Sequence, residues 1–113
     1  MEMTVHELAG PVTAVRLTGR LDAAGSDAIS LRFTAAVASA GRDAVVDLAG
    51  VSFIASMGMR MLVSAARSLS QKGRRLVVFS APELVQGALQ DAGIDQIIPC
   101  VATEADALAT LQH

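Results

Sequence analysis

The sequence predicts an α/β fold in which a mixed β-sheet of four to five strands is flanked by about four α-helices. The chain opens with two β-type segments around a turn, and helical periodicities then alternate with short apolar runs. Such alternation is typical of parallel strands covered by helices, because strands buried on both faces lack a polar side. With 113 residues and 52% hydrophobic side chains, the chain is sized for one core, so we expect a single domain over residues 1–113.

An antiparallel hairpin and a helix are expected first. Residues 3–8 and 12–18 are rich in β-branched side chains, and the Gly and Pro within residues 9–11 predict a turn between two strands. In residues 26–40 apolar side chains recur at helical spacing, and Gly41 directly afterwards is a typical C-cap. The start of the chain therefore predicts two strands followed by one helix.

A strand, a link and a second helix are expected in the middle of the chain. Residues 44–48 are almost entirely apolar, which predicts a strand covered on both faces. A link that contains Gly50 leads to Ser56, the expected N-cap of a helix over residues 57–72. Gly73 is expected to end that helix.

The remaining elements repeat this alternation. Residues 75–79 predict another buried strand, and residues 80–83 have the Ser-x-x-Glu spacing of a capping box for a third helix that ends near Asp91. Residues 94–101 predict a last short strand. A second capping pattern in residues 103–106 predicts a C-terminal helix.

Composition and spacing argue against several classes of function. A formal charge of -2 and three aromatic side chains, all Phe, offer little attraction for nucleic acid. No apolar run approaches the ~20 residues of a spanning helix, and Cys100 is the only cysteine, so we expect a cytoplasmic protein without membrane insertion or a disulfide. Metal-ligand spacings and nucleotide-binding loops are missing, so no metal, cofactor or enzyme activity is expected.

Ser56 is the candidate functional residue. A hydroxyl at a helix start lies beside unpaired backbone N–H groups and the positive end of the helix dipole. It can therefore be a plain cap, or a position where an added negative charge is tolerated. Met59, Val63 and Ala66 lie beside the expected buried stripe of the same helix and form a candidate contact surface.

The order of these motifs resembles the STAS domain of bacterial anti-sigma factor antagonists over nearly the whole chain. The resemblance rests on residues 17–22, which follow the hairpin, and on residues 45–62, where a strand containing Asp-Leu leads through Ser56 to Gly58. It implies a STAS-type single domain with Ser56 in the place of the phosphoacceptor. Gly58 matches the family's glycine, and Asp22 matches an acidic residue that lies near the acceptor.

The function that the resemblance implies is partner switching. The unphosphorylated protein would bind a serine kinase that is also an anti-sigma factor, phosphorylation would release it, and a phosphatase is a further possible partner. A phosphate adds about -1.5 to -2 charges, which a helix N-terminus accepts and an apolar or acidic interface does not. The residues expected to contact the partner are Asp22, Ala55, Met57, Gly58, Met59 and Val63.

The residues beside Ser56 also allow other functions. The best-known family members carry Asp where this chain has Ala55, and a small hydroxyl residue where it has Met57. The alternative is a STAS subunit that docks on a transporter or a signalling complex without phosphorylation, with Ser56 as a plain cap. Asp22 can equally be a cap of the first helix. A small-ligand carrier or enzyme that uses a pocket among the helices is a further alternative, and the apolar helix edge could also support a homodimer.

Overall fold

The part of the chain that the computed structural model describes, residues 1–112, forms five strands and four α-helices. In chain order they are β1 (Glu2–Leu8), β2 (Val12–Leu21), α1 (Ala23–Phe33), β3 (Asp43–Ile54), α2 (Ser56–Gln71), β4 (Leu76–Phe79), α3 (Glu83–Asp91), β5 (Cys100–Val101) and α4 (Glu104–Leu111). A π-helical turn (Thr34–Ala38) extends α1, and a 3₁₀ turn (Ile94–Gln96) precedes β5. His113 lies outside the described residues.

The five strands form one mixed sheet in the order β1-β2-β3-β4-β5. The first two strands pair antiparallel, and every other neighbouring pair is parallel. The hairpin explains the antiparallel pair, and the helical crossovers explain the parallel ones. The predicted fold class, a mixed sheet of four to five strands flanked by about four helices, is confirmed.

Helices cover both faces of the sheet. Val46 of β3 belongs to the main core, to which α1, α2 and α3 contribute buried side chains. Its neighbour Val45 packs in a second cluster with Ala107 of α4. Since successive side chains of a strand point to opposite faces, three helices lie on one face and α4 on the other. The expectation that β3 is covered on both faces is therefore confirmed.

β3 is longer than the sequence predicts. The strand was expected over residues 44–48, followed by a link, but it continues to Ile54. Two register shifts against β2 accommodate the additional residues. Gly50 lies in this stretch, where a Cβ atom would lie 2.9 Å from Thr18 Oγ1. Glycine thus fits the close approach of the two strands here, and the extended β3 ends two residues before Ser56.

α1 begins and ends earlier than expected. It starts at Ala23, because the carboxylate of Asp22 accepts a hydrogen bond from the Gly25 backbone N–H at 2.8 Å and so caps the first turn. Its α-helical part ends at Phe33, and the following turn widens into a π-helix in which the Ser39 N–H donates to the Thr34 carbonyl at 3.0 Å. The helix predicted over residues 26–40 is thus present with shifted ends.

The two capping boxes of the second half have different outcomes. Ser80 does not cap α3; its φ is 59° and its hydroxyl donates to the carbonyl of Ala102 at 3.0 Å. Pro82 occupies the N-cap position without a side-chain hydrogen bond, so the first box is wrong. Thr103 does cap α4, since its Oγ1 accepts from the Asp106 backbone N–H at 3.1 Å. The strand predicted over residues 94–101 shrinks to its last two residues.

Candidate functional site

Two turns lie side by side at the carboxyl ends of β2 and β3. The last residues of the two strands, Leu21 and Ile54, are register partners. The Ala55 backbone N–H donates to the Leu21 carbonyl at 2.9 Å, which ties the turn before α2 to the turn before α1. Asp22 follows Leu21 and Ser56 follows Ala55, so the structure brings these two predicted site residues to one edge of the sheet.

Ser56 is exposed and is the first residue of α2 rather than its N-cap. The N-cap is Ala55, and no side chain caps this helix start within the described chain. The expected capping role of the Ser56 hydroxyl is therefore wrong. The first turn of α2 carries no acidic side chain either, so its backbone N–H groups and the positive end of the helix dipole are not compensated by a charge of the helix itself.

Gly58 holds α2 against the ends of both strands. A Cβ atom at this position would lie 2.9 Å from the Leu21 carbonyl oxygen and 3.2 Å from Ile54 Cγ1. Only glycine allows the first turn of the helix to pack this closely without a shift of the strand ends. Gly58 is buried, so it positions the turn and offers little surface of its own.

Asp22 is both a helix cap and one partner of an ion pair. Its Oδ2 lies 3.3 Å from Arg20 Nε, and the Arg20 guanidinium lies 4.5 Å from the centre of the Phe53 ring. The pKa of Asp22 is lowered, chiefly by the hydrogen bond from the Gly25 N–H; desolvation opposes this effect, and the nearby Arg20 lowers the pKa further. The sequence pattern did not predict the ion pair of Arg20 with Asp22, although the two residues are only two positions apart at the end of a strand.

We expect Asp22→Asn to change the pH dependence of stability while it preserves the cap, because an amide oxygen also accepts the Gly25 N–H. Since the pKa of Asp22 is lowered in the folded state, the carboxylate stabilises the fold above the ordinary pKa of 3.8. That contribution is lost as the pH falls through the lower folded-state value. Urea unfolding of both proteins between about pH 7 and about pH 2 measures the difference, and a difference that does not vary with pH would contradict this role.

The other predicted contact residues form a mixed surface around the start of α2. Ala55 is half-buried, and Met57 is 45% exposed. Met57 lines a groove of about 280 Å³ between α1 and α2. Met59 and Val63 are half-buried on the opposite flank, where they pack against the main core. The structure thus places Met57 on one side of the helix start and Met59 with Val63 on the other.

The described residues give no support to metal or thiol chemistry at this site. They contain no group of three or more His, Cys, Asp or Glu side chains that could hold a metal ion. Burial raises the pKa of the Cys100 thiol to about 11, with Asp95 acting in the same direction, so the reactive thiolate is scarce at neutral pH. Within residues 1–112 there is also no helix with the length and apolar character needed to cross a membrane.

One family model matches most of the chain, and several solved structures share its fold. The model of the STAS domain family matches residues 2–107. An anti-sigma factor antagonist from Mycobacterium paratuberculosis is similar in structure, with a TM-score of 0.86, 24% identity, and coverage of 99% of this chain and 94% of that one. The phosphorylated form of the Bacillus cell fate determinant SpoIIAA has a TM-score of 0.70 at 18% identity, with coverage of 96% and 98%.

The same fold also occurs within a larger protein. The structure of the murine anion transporter Slc26a9 matches with a TM-score of 0.78 and 22% identity, over 95% of this chain and 18% of the transporter chain. No curated protein sequence matches the chain.

Proposed function

The chain belongs to the STAS domain family, and on that premise we propose that it is an anti-sigma factor antagonist-like regulator that works by partner switching. In its unphosphorylated form it binds a serine kinase that is also an anti-sigma factor. Phosphorylation of Ser56 by that kinase releases it, and a phosphatase restores the binding form. No catalytic residue of its own is required.

The observation that carries this proposal is the exposed Ser56 hydroxyl at a helix start that no side chain of the described residues caps. A phosphate on this hydroxyl adds about -1.5 to -2 charges at a position where backbone N–H groups and the helix dipole favour an anion. The fold therefore tolerates the modification. Arg60, one helical turn further along the exposed side of α2, lies at the i+4 spacing that pairs opposite charges.

The same charge is unfavourable in a protein interface. Asp22 lies on the adjoining turn, and Met57 exposes an apolar side chain beside Ser56. A partner that covers these side chains must desolvate the phosphate next to a carboxylate and an apolar surface. A penalty of about 3 kcal/mol weakens such a complex by roughly a hundredfold, which is sufficient for a reversible switch.

The direct test is phosphorylation in vitro by the cognate serine kinase, if one is encoded near this gene. We expect ATP and the kinase to add one phosphate, mapped by mass spectrometry to Ser56, and we expect none on Ser56→Ala. Ser52→Ala is the matched control, because Ser52 is also exposed and lies four residues away on β3, and it should be modified like the wild type. An unmodified wild type, or a phosphate that persists in Ser56→Ala, would falsify the switch.

A second function is docking without phosphorylation on a transporter or another signalling complex. Two observations support it: the likeness to part of the murine anion transporter Slc26a9, and the presence of Ala55 and Met57 beside Ser56 in place of the residues of the best-known antagonists. In this case Ser56→Ala and the wild type bind the partner equally, and ATP does not release the complex.

A further inference from the structure

A shallow groove runs along the outward face of α2, on the side away from α1. It has a volume of about 600 Å³ and lies between the helix and the 3₁₀ turn Ile94–Gln96 with the residue that follows it. Its apolar lining comes from Met59 and Val63 of α2 and from Ile94 and Ile97. Ile97 is 50% exposed, so this lining includes apolar surface that the fold itself leaves uncovered.

The two charged side chains that line this groove, those of Arg60 and Arg67, are both cationic. The sixteen residues of α2 contain no Asp or Glu, although the whole chain has a formal charge of -2. Arg60 and Arg67 both line the groove and are exposed, and neither forms a salt bridge with another residue of the described chain. Asp95 does not line this groove; together with Arg74 it lines a neighbouring pocket. The groove therefore combines an apolar floor with free cationic edges.

We propose that this groove binds an acidic amphipathic helix of the serine kinase, as a second contact beyond the Ser56 turn. The inference rests on the proposed function and names the chemistry of the partner. Met59, Val63 and Arg67 follow one another at a spacing of four residues, so they offer about 12 Å of surface. This matches two turns of a helix whose apolar side chains also recur every three to four residues. Acidic residues along the edges of that helix would face Arg60 and Arg67.

The experiment compares two arginine reversals in binding to the purified kinase. Arg67→Glu is expected to weaken the complex about tenfold at low salt. Its affinity is also expected to depend less on salt between about 50 and about 300 mM than that of the wild type, because exposed charge pairs are screened. Arg32→Glu is the matched control, an exposed arginine of α1 outside the groove, and it should change affinity less than about twofold.

The outcomes separate this inference from the proposed function. If the kinase phosphorylates Ser56 but Arg67→Glu keeps the affinity and salt dependence of the wild type, the proposed groove contact is wrong, whereas the proposed phosphorylation switch is supported. If the kinase neither binds nor phosphorylates the wild type, both fail. Thermal unfolding of each variant checks the fold. Should Arg67→Glu unfold, Arg67→Gln provides the same test with an expected loss of roughly threefold.

Discussion

Gly25→Ala is expected to lower the free energy of unfolding by about 3 kcal/mol, because an added Cβ atom meets a closer neighbour here than at any other glycine of the chain. Gly25 is in the first turn of α1, and a Cβ atom there would collide with the backbone carbonyl oxygen of Arg20. That oxygen belongs to β2 and cannot rotate away as the end of a flexible side chain can. The collision therefore has to displace either the helix start or the strand end, and with it the capping contact of Asp22.

Gly87→Ala is the matched control, because Gly87 lies inside α3 and a Cβ atom there would have no neighbour within 4 Å. Alanine is favoured over glycine inside a helix, so this variant should gain about 0.5 to 1 kcal/mol. Urea unfolding with a common slope measures both changes, and thermal midpoints on the order of 10 °C apart are expected. A Gly25→Ala protein as stable as the wild type would show that α1 can move away from β2.

Ser56→Glu is expected to weaken the complex with the kinase by roughly a hundredfold, which corresponds to about 3 kcal/mol. The carboxylate places a negative charge in the interface, whereas the free protein tolerates it at the start of α2. Stability should therefore change little or rise slightly, and the circular dichroism spectrum should stay the same. Titration calorimetry with the purified kinase measures the change in affinity, and thermal unfolding measures the change in stability.

Ser39→Glu controls for the added charge, because Ser39 is exposed and follows the π-helical turn at the opposite end of the α1 segment. It should bind the kinase like the wild type, and Ser56→Ala should also bind. Full affinity of Ser56→Glu would mean that the partner covers a surface away from the Ser56 turn.

The sequence was sufficient to predict the fold because each buried strand carries its own signal. Residues 44–48 are apolar except for Asp47, residues 76–79 are all apolar, and helical periodicity lies between the two runs. The second half of β3 carries no such signal, since exposed residues such as Ala49 and Ser52 interrupt it. This half of β3 is a strand because it pairs with β2 through two register shifts. Since β2 is distant in the sequence, local propensity does not predict this pairing.

The sequence predicts where Asp22 and Ser56 lie in the fold, but not the geometry of the turns that hold them. The sequence placed Asp22 just after the second strand and Ser56 at a helix start beyond a link, and the parallel pairing of β2 with the longer β3 brings the two residues together. The sequence predicts a cap at Ser56, but the N-cap lies one residue earlier, at Ala55, which has the extended backbone conformation of an N-cap with φ of -117°. The sequence does not predict that Ile97 is exposed, because residues 94–101 have the pattern of a strand. In the structure, residues 94–96 form a 3₁₀ turn and Ile97 follows it.

Under the proposed switch, the hydrogen bond from the Ala55 N–H to the Leu21 carbonyl determines how the kinase would have to recognise Ser56 as its acceptor. Ala55 immediately precedes the acceptor, so the acceptor cannot leave the sheet edge as an extended peptide without breaking the end of the β2–β3 pairing. The enzyme must then accept the rigid shape of a helix start. A short synthetic peptide around Ser56 lacks that shape, so selectivity in this regulatory circuit would come from the folded surface more than from the local sequence.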